Sequence, residues 1–165
     1  FLYSLLTMDK EMLGRAMVPG LVLMWIFSLT YCIIFKNNLD DLDTLTEAGY
    51  VCVSENVNVN EKWHILFNWG WIMFLITTIV YSIGILAGLL GKPAIALMAY
   101  CVHCCFSCCQ LAFIITMGVW RFNSWGSACS EVLVGQGDAL KNIFISFCCF
   151  QCCLCFCNAF VQQGQ

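Results

Sequence analysis

Two cysteine runs are the most chemically loaded stretches of this chain. One is Cys101-Val-His-Cys-Cys-Phe-Ser-Cys-Cys109, and the other runs from Cys148 to Cys157. Together they hold eleven of the fourteen cysteines. CxxC spacings fall at Cys101/Cys104, Cys105/Cys108, Cys149/Cys152 and Cys152/Cys155. Such spacing serves zinc or dithiol redox chemistry only where the sulfur ionises, and that needs a metal, a helix N-terminus or a nearby cation. No basic residue lies near either run in sequence, and a thiolate at mid-membrane depth is costly. With cysteines this dense, CxxC matches also arise by composition alone. No metal site and no cofactor is therefore expected. His103, inside the first run, is the other chemically capable side chain. A haem would want a second axial ligand, and His64 belongs to the opposite end of the same helical hairpin. The expectation is a neutral histidine bonded to Ser107, Ser146 or Gln151, with His103 and Gln151 as the candidate intramembrane polar site.

The segments that carry these residues are apolar throughout. Hydrophobic residues make up 61% of the 165, and charged residues 10%, where a soluble domain carries about 25%. The seven basic residues stand at 10, 15, 36, 62, 92, 121 and 141, and the stretches between them approach the roughly 20 residues of a spanning helix. The expected fold class is all-α: an integral membrane four-helix bundle in one domain, with spans 16–35, 63–90, 94–120 and 141–160. Outer loops then cover 36–62 and 121–140. Tyr50-Val-Cys-Val-Ser and Asn56-Val-Asn-Val-Asn alternate like short strands, so the first loop is expected to hold a small β-hairpin. Its acids do not match an EF-hand spacing and read as a solvated face. Trp63, Trp69 and Trp71 read as an interfacial aromatic belt with His64 among them. Phe1, Leu2, Leu5, Leu6 and Met8 would form one face of a short interfacial helix, the alternative being an ordered tail. Gly91-Lys92-Pro93 combines a helix C-cap glycine with a helix-starting proline, which predicts a tight antiparallel turn between spans two and three.

Four spans put both termini on one side and both loops on the other. Cys52 and Cys129 are the only loop cysteines, one in each loop. That is the arrangement of an inter-loop disulfide in an oxidising compartment, the alternative being two free thiols in a reducing one. The disulfide reading places the termini in the cytosol, in the plasma membrane or a membrane of the secretory pathway or cilium. Lys10, Arg15 and Lys92 then lie on the cytosolic side, and positive charge is denser there per residue of loop.

This topology yields two further expectations for the cysteine runs. Cys101, Cys105 and Cys108 share one helical stripe, and Cys148, Cys152 and Cys155 share another, so the two are expected to pack as a seam of small, soft side chains. Cys152, Cys153, Cys155 and Cys157 approach the cytosolic interface, where S-palmitoylation occurs. Gly84-Ile-Leu-Ala-Gly88 is a GxxxG match, expected to engage another helix from a lipid-facing position.

Four spans, cytosolic termini, a tight second turn and two modest outer loops resemble the MARVEL group of tetraspan proteins. The segment Gly118-Val-Trp-Arg-Phe-Asn, followed by Trp125-Gly and Cys129, is similar in style to the end of the third span there. The resemblance covers topology and this one segment, and it transfers no functional residues. Tetraspanins differ by a large second outer loop with a Cys-Cys-Gly motif, and claudins by a Gly-Leu-Trp…Cys…Cys first loop. The expected function is non-catalytic, as a membrane organiser or an accessory subunit of a larger assembly. Its partners are the lipid bilayer and other membrane subunits or further copies of itself. No basic cluster suits nucleic acid. Two alternatives stand beside it: a membrane thiol/quinone redox protein using Cys101/Cys104 or Cys149/Cys152, and a subunit of an oligomeric channel.

Overall fold

The computed structural model describes the backbone of residues 10–163, and side chains within 18–153 except Pro93. The expected interfacial helix over Phe1, Leu2, Leu5, Leu6 and Met8 lies outside the described residues. In chain order come α1 (Lys10–Glu47), β1 (Val53–Ser54), β2 (Val57–Asn58), α2 (Val59–Leu89), α3 (Pro93–Phe122), α4 (Ser124–Cys129) and α5 (Val134–Gln163). Among the described residues, three helices are long and apolar enough to cross a membrane: Val18–Glu47, Val59–Leu89 and Ala94–Phe122. Each exceeds the roughly 20 residues that crossing requires.

The helices outrun the expected spans, so the first loop is much shorter than 36–62. α1 continues as helix to Glu47, and α2 already begins at Val59. The acids Asp40, Asp41, Asp43 and Glu47 stand on this helical extension rather than in a loop. A period-3.6 apolar pattern persists there, with Leu39 and Leu42 buried. Helix α1 then stops at a Schellman motif. Gly49 takes φ +86°, Gly49 N–H donates to Thr46 and Tyr50 N–H donates to Leu45. The second loop shrinks likewise: α4 lies within it, and α5 starts at Val134 rather than near 141.

β1 and β2 form the expected hairpin, pairing Val53 with Asn58 and Ser54 with Val57. The two-residue turn is Glu55-Asn56, both at positive φ (53° and 63°). Positive φ at both central residues is the type I′ requirement, and it matches the twist of the strands. Asn58 then caps α2, its side-chain oxygen accepting from Glu61 N–H at 3.4 Å.

The chain divides into two compact units. The first comprises Phe1–Asn37 and Phe67–Leu111, the second Asn38–Leu66 and Ala112–Gln165. In the first, α1 and α2 run antiparallel. Trp25 Nε1 donates to Ser82 Oγ at 2.8 Å, and Ser28 Oγ donates to the Phe74 carbonyl at 2.9 Å. The Phe35 ring lies over Gly70, stacked on Phe74 at 5.6 Å between centroids. A Cβ on Gly70 would stand 2.5 Å from that ring, so the glycine is what lets the two helices close. α2 ends at Leu89 with a second Schellman motif. Gly91 takes φ +66°, Lys92 N–H donates to Ala87, and Pro93 opens α3. Gly84 is buried rather than lipid-facing: a Cβ there would meet Ala99 at 3.0 Å and Leu21 at 3.4 Å. Gly88 is buried as well. The GxxxG pair is thus used inside the unit, because its small face is the one the α2–α3 turn folds inward.

In the second unit, Gly118 meets the Phe144 ring, where an added Cβ would lie 2.5 Å away. Phe122 packs edge-on to the same ring at 5.6 Å. Trp63 is fully buried, so it is a core residue and not part of an interfacial belt. Trp69 is exposed, as a belt residue would be.

Large side chains are conspicuous on the outer faces of the apolar helices: Leu23, Ile33, Ile79, Ile83, Leu111 and Ile115 are all exposed. Inside, Ser28, Thr77, Thr78 and Gln110 are buried and bonded. Replacing Gly70 by alanine is expected to destabilise the protein by about 1–3 kcal/mol through overpacking against Phe35. Equilibrium unfolding in detergent micelles measures it, and Gly20→Ala, where a Cβ meets nothing, is the matched control.

Candidate functional site

Helix α3 presents two faces. The inward one carries Ala96, Ala99, His103, Phe106 and Gln110, at helical spacing, all buried or half-buried. The outward one carries Cys101, Cys104, Cys105, Cys108 and Cys109, all exposed. The expected packing role for Cys101, Cys105 and Cys108 is therefore corrected. The alanine face admits a closer neighbour than cysteine does, so α3 buries that side and turns its thiols outward. On α5, Cys148 is half-buried while Cys149, Cys152 and Cys153 are exposed. The side chains of Cys155 and Cys157 lie outside the described residues. Among the described residues, no three His, Cys, Asp or Glu side chains gather in a metal-holding group.

The inward face of α3 meets α2 through two polar contacts, about two turns apart on α3 and about one turn apart on α2. Tyr81 Oη and His103 Nδ1 lie 2.7 Å apart, the donor set by the imidazole tautomer. Gln110 Nε2 donates to Thr77 Oγ1 at 3.2 Å. Thr77 in turn donates to the Met73 carbonyl. His103 thus bonds to a tyrosine across the α2–α3 hairpin, not to the serines expected. Ser107 and Ser146 return their hydroxyls to carbonyls in their own helices, Cys104 and Asn142, the usual recourse of a helical serine. Gln151 is half-buried on α5. Beside His103 lies a shallow, half-open cleft lined by Ile76, Thr77, Val80, Val102, His103 and Phe106, with a volume of about 10 Å³. That is room for about one water, far below the pockets of cofactors and drug-sized ligands.

The second constellation is in the other unit, around the disulfide. Cys52 and Cys129 are joined, with Cα atoms 5.8 Å apart and 77 residues between them in sequence. Asn60 positions the first of them. Its Oδ1 accepts from Cys52 N–H at 2.9 Å, and its Nδ2 donates to Thr46 Oγ1 and to the Tyr50 carbonyl at 2.9 and 2.8 Å. Three of its four hydrogen-bonding positions are thus used, and the residue is buried. The second cysteine is placed by α4, which packs against β1. α4 crosses close to the end of α3: a Cβ on Gly126 would run into the Trp120 carbonyl oxygen. The disulfide therefore closes a cap of hairpin, short helix and the start of α2. His64 lies 3.3 Å from Asp43, both about half exposed, a surface pair worth about 0–1 kcal/mol. Its partner is thus a side chain of α1.

Three residues of these sites escaped sequence reading. Asn60 sits in a polar stretch where any Asn would pass as loop. Tyr81 reads as one more apolar-helix aromatic. Arg121 reads as a span-ending charge, yet it is buried and donates from Nε to the Gly137 carbonyl at 2.6 Å. Only the Asn58-x-x-Glu61 capping pattern hinted that the helix, and so the buried Asn60, begins that early.

Comparison of the chain with protein-family models, with curated proteins and with solved structures finds no match.

Tyr81→Phe is expected to cost about 0.5–2 kcal/mol by orphaning the His103 imidazole, the range for interhelical bonds among apolar helices. Unfolding in detergent measures the cost, and His103→Phe in the Tyr81→Phe background should recover part of it, since both partners are then apolar.

Proposed function

We propose that the chain is a four-span membrane protein without catalytic activity, serving as an accessory subunit or organiser of a larger membrane assembly. The observation that carries this reading is the inversion of its surfaces. Exposed Leu and Ile side chains cover the apolar helices while buried Ser, Thr and Gln side chains, and half-buried His103 with Tyr81, bond to one another within. Lipid is the solvent that favours this arrangement. The length of α5, Val134–Gln163, supports it as the fourth span.

On this reading both termini are cytosolic and the disulfide cap faces the lumen or the cell exterior, the compartments where such bonds persist. The membrane is the plasma membrane or one of the secretory pathway or cilium. The MARVEL-like organisation of spans and the Trp-Arg-Phe segment fit the same role. The polar contacts inside the first unit tie helices together, and the cleft beside them is half-open and has room for about one water. Contact with partner subunits falls to the cap and to the outward helix faces.

The outward thiols favour a second, compatible reading. Exposure of Cys149, Cys152 and Cys153 leaves them accessible for S-acylation on the cytosolic side. It equally leaves Cys101/Cys104 and Cys149/Cys152 accessible to a quinone, which is the redox alternative. An oligomeric channel would place its pore between copies.

Mass spectrometry of the non-reduced protein is expected to recover Cys52 and Cys129 in one linked peptide pair. Two free thiols would overturn the topology. Cys52→Ser is expected to lower stability by about 2–5 kcal/mol, in the range for a native disulfide closing a long loop. Acyl-exchange labelling is expected to find lipid at Cys152 or Cys153. An absorption band or bound metal in the purified protein would instead favour the redox reading.

A further inference from the structure

Arg121 is the one buried side chain of formal charge among the described residues, 7% exposed in the last turn of α3. Buried cations are ordinarily paired with a carboxylate, because desolvation of the charge is otherwise uncompensated. Among the described residues none is within ion-pair reach of Arg121. Asp138, next in sequence to its carbonyl partner Gly137, is exposed and forms no ion pair with it. The guanidinium has five N–H donors in a planar fork. The structure occupies Nε, with the Gly137 carbonyl, and rests the carbon 5.6 Å from the centroid of the Phe122 ring. Among the described residues the two terminal nitrogens have no partner, and neither is enclosed, so they form an open fork. A second cation belongs to the same helix end. Lys62 Nζ lies 5.2 Å from the centroid of the ring of Trp120, the residue preceding Arg121. Trp120, half-buried at the same helix end, has its ring 6.4 Å from that of buried Trp125, and a partly exposed tryptophan at the end of an apolar helix suits headgroup depth.

We propose that Arg121, assisted by Lys62, is a phosphate-binding site that takes the phosphodiester of a phospholipid headgroup. The proposal rests on the reading of α3 as a membrane span, which puts its last turn at the lipid phosphates. A guanidinium fork with both terminal nitrogens free matches two phosphate oxygens, and the bound anion supplies the charge that the chain withholds. Binding orders the junction of α3, α4 and α5, because Arg121 also holds Gly137 at the start of α5. The site is thus a lipid-dependent fastening for the disulfide cap.

The test follows thermal unfolding of the full chain in a zwitterion-free, phosphate-free detergent. Three additions are compared: dioleoylphosphatidylglycerol, dioleoylglycerol, and inorganic phosphate. Dioleoylphosphatidylglycerol is expected to raise the midpoint by on the order of 5 °C at saturation, and dioleoylglycerol, with the same chains and no phosphate, is not. A full effect from inorganic phosphate alone keeps the site and makes a free anion its source. In Arg121→Gln the response should vanish, while Asp138→Asn should respond as the unaltered chain does. Oxidation of the Cys52–Cys129 pair reports whether each variant has folded. Should the glutamine variant not fold, Arg121→Lys decides: losing the fork should raise the lipid requirement about tenfold. Equal stabilisation by dioleoylglycerol, a response that persists in Arg121→Gln, an unchanged requirement in Arg121→Lys, or loss of the response in Asp138→Asn each overturns the proposal. Extraction of the protein from membranes by detergent but not by alkaline wash tests the membrane reading separately.

Discussion

The side chain of Asn60 is the constraint on which the disulfide-linked cap of this molecule depends. One buried amide binds the end of α1 through Thr46, the descending chain through the Tyr50 carbonyl, and the cysteine of the disulfide through the Cys52 N–H. These are polar groups that water would otherwise have to reach. Because Asn60 lies in the first turn of α2, it transmits the position of that helix directly to Cys52. From there the covalent bond to Cys129 carries the position on to α4. A hairpin of two-residue strands has little stability alone. Here it is held at both ends, by a side-chain hub and a cross-link, and the short helix packs onto it.

The apolar helices obey a different economy. Their backbone bonds are internal, so the sequence is free to spend its few polar side chains on contacts between helices. Those contacts are small individually. Ser28 with Thr78, Thr77 with Gln110 and Tyr81 with His103 are each a single bond. Close approach matters more. Gly70 under the Phe35 ring, and Gly84 against Ala99, mark where two backbones come together because a side chain is missing. Small residues thus set the helix spacing, and the polar pairs fix the register along it. The large aliphatics, having no role inward, face outward.

The cysteines show how a conspicuous composition misleads when read alone. Spacing by three and four placed Cys101, Cys105 and Cys108 on one stripe, correctly, but the stripe carries no direction. Ala96, Ala99 and Gln110 form a competing stripe a fraction of a turn away, and that one is buried. Periodicity of 3.6 defines faces; it does not say which face finds a neighbour when nearly every residue is apolar. The same limit misplaced the GxxxG pair on the lipid side and Trp63 in a belt.

Sequence by itself determined the helical, lipid-compatible character of the chain, the tight turn at Gly91-Lys92-Pro93, the strand pair in the first loop, and the two loop cysteines that are joined. Each of these rests on local chemistry or on composition: a left-handed glycine, a proline without an N–H, alternating Val and Asn, and the rarity of charge. Tertiary structure alone decided that α1 runs on to Glu47, that His103 answers to Tyr81, that the thiols of α3 face outward, and that Arg121 is buried with no carboxylate in reach among the described residues. The physical reason is common to all four. Burial and pairing depend on what a neighbouring helix presents at a given height, and no local pattern encodes that.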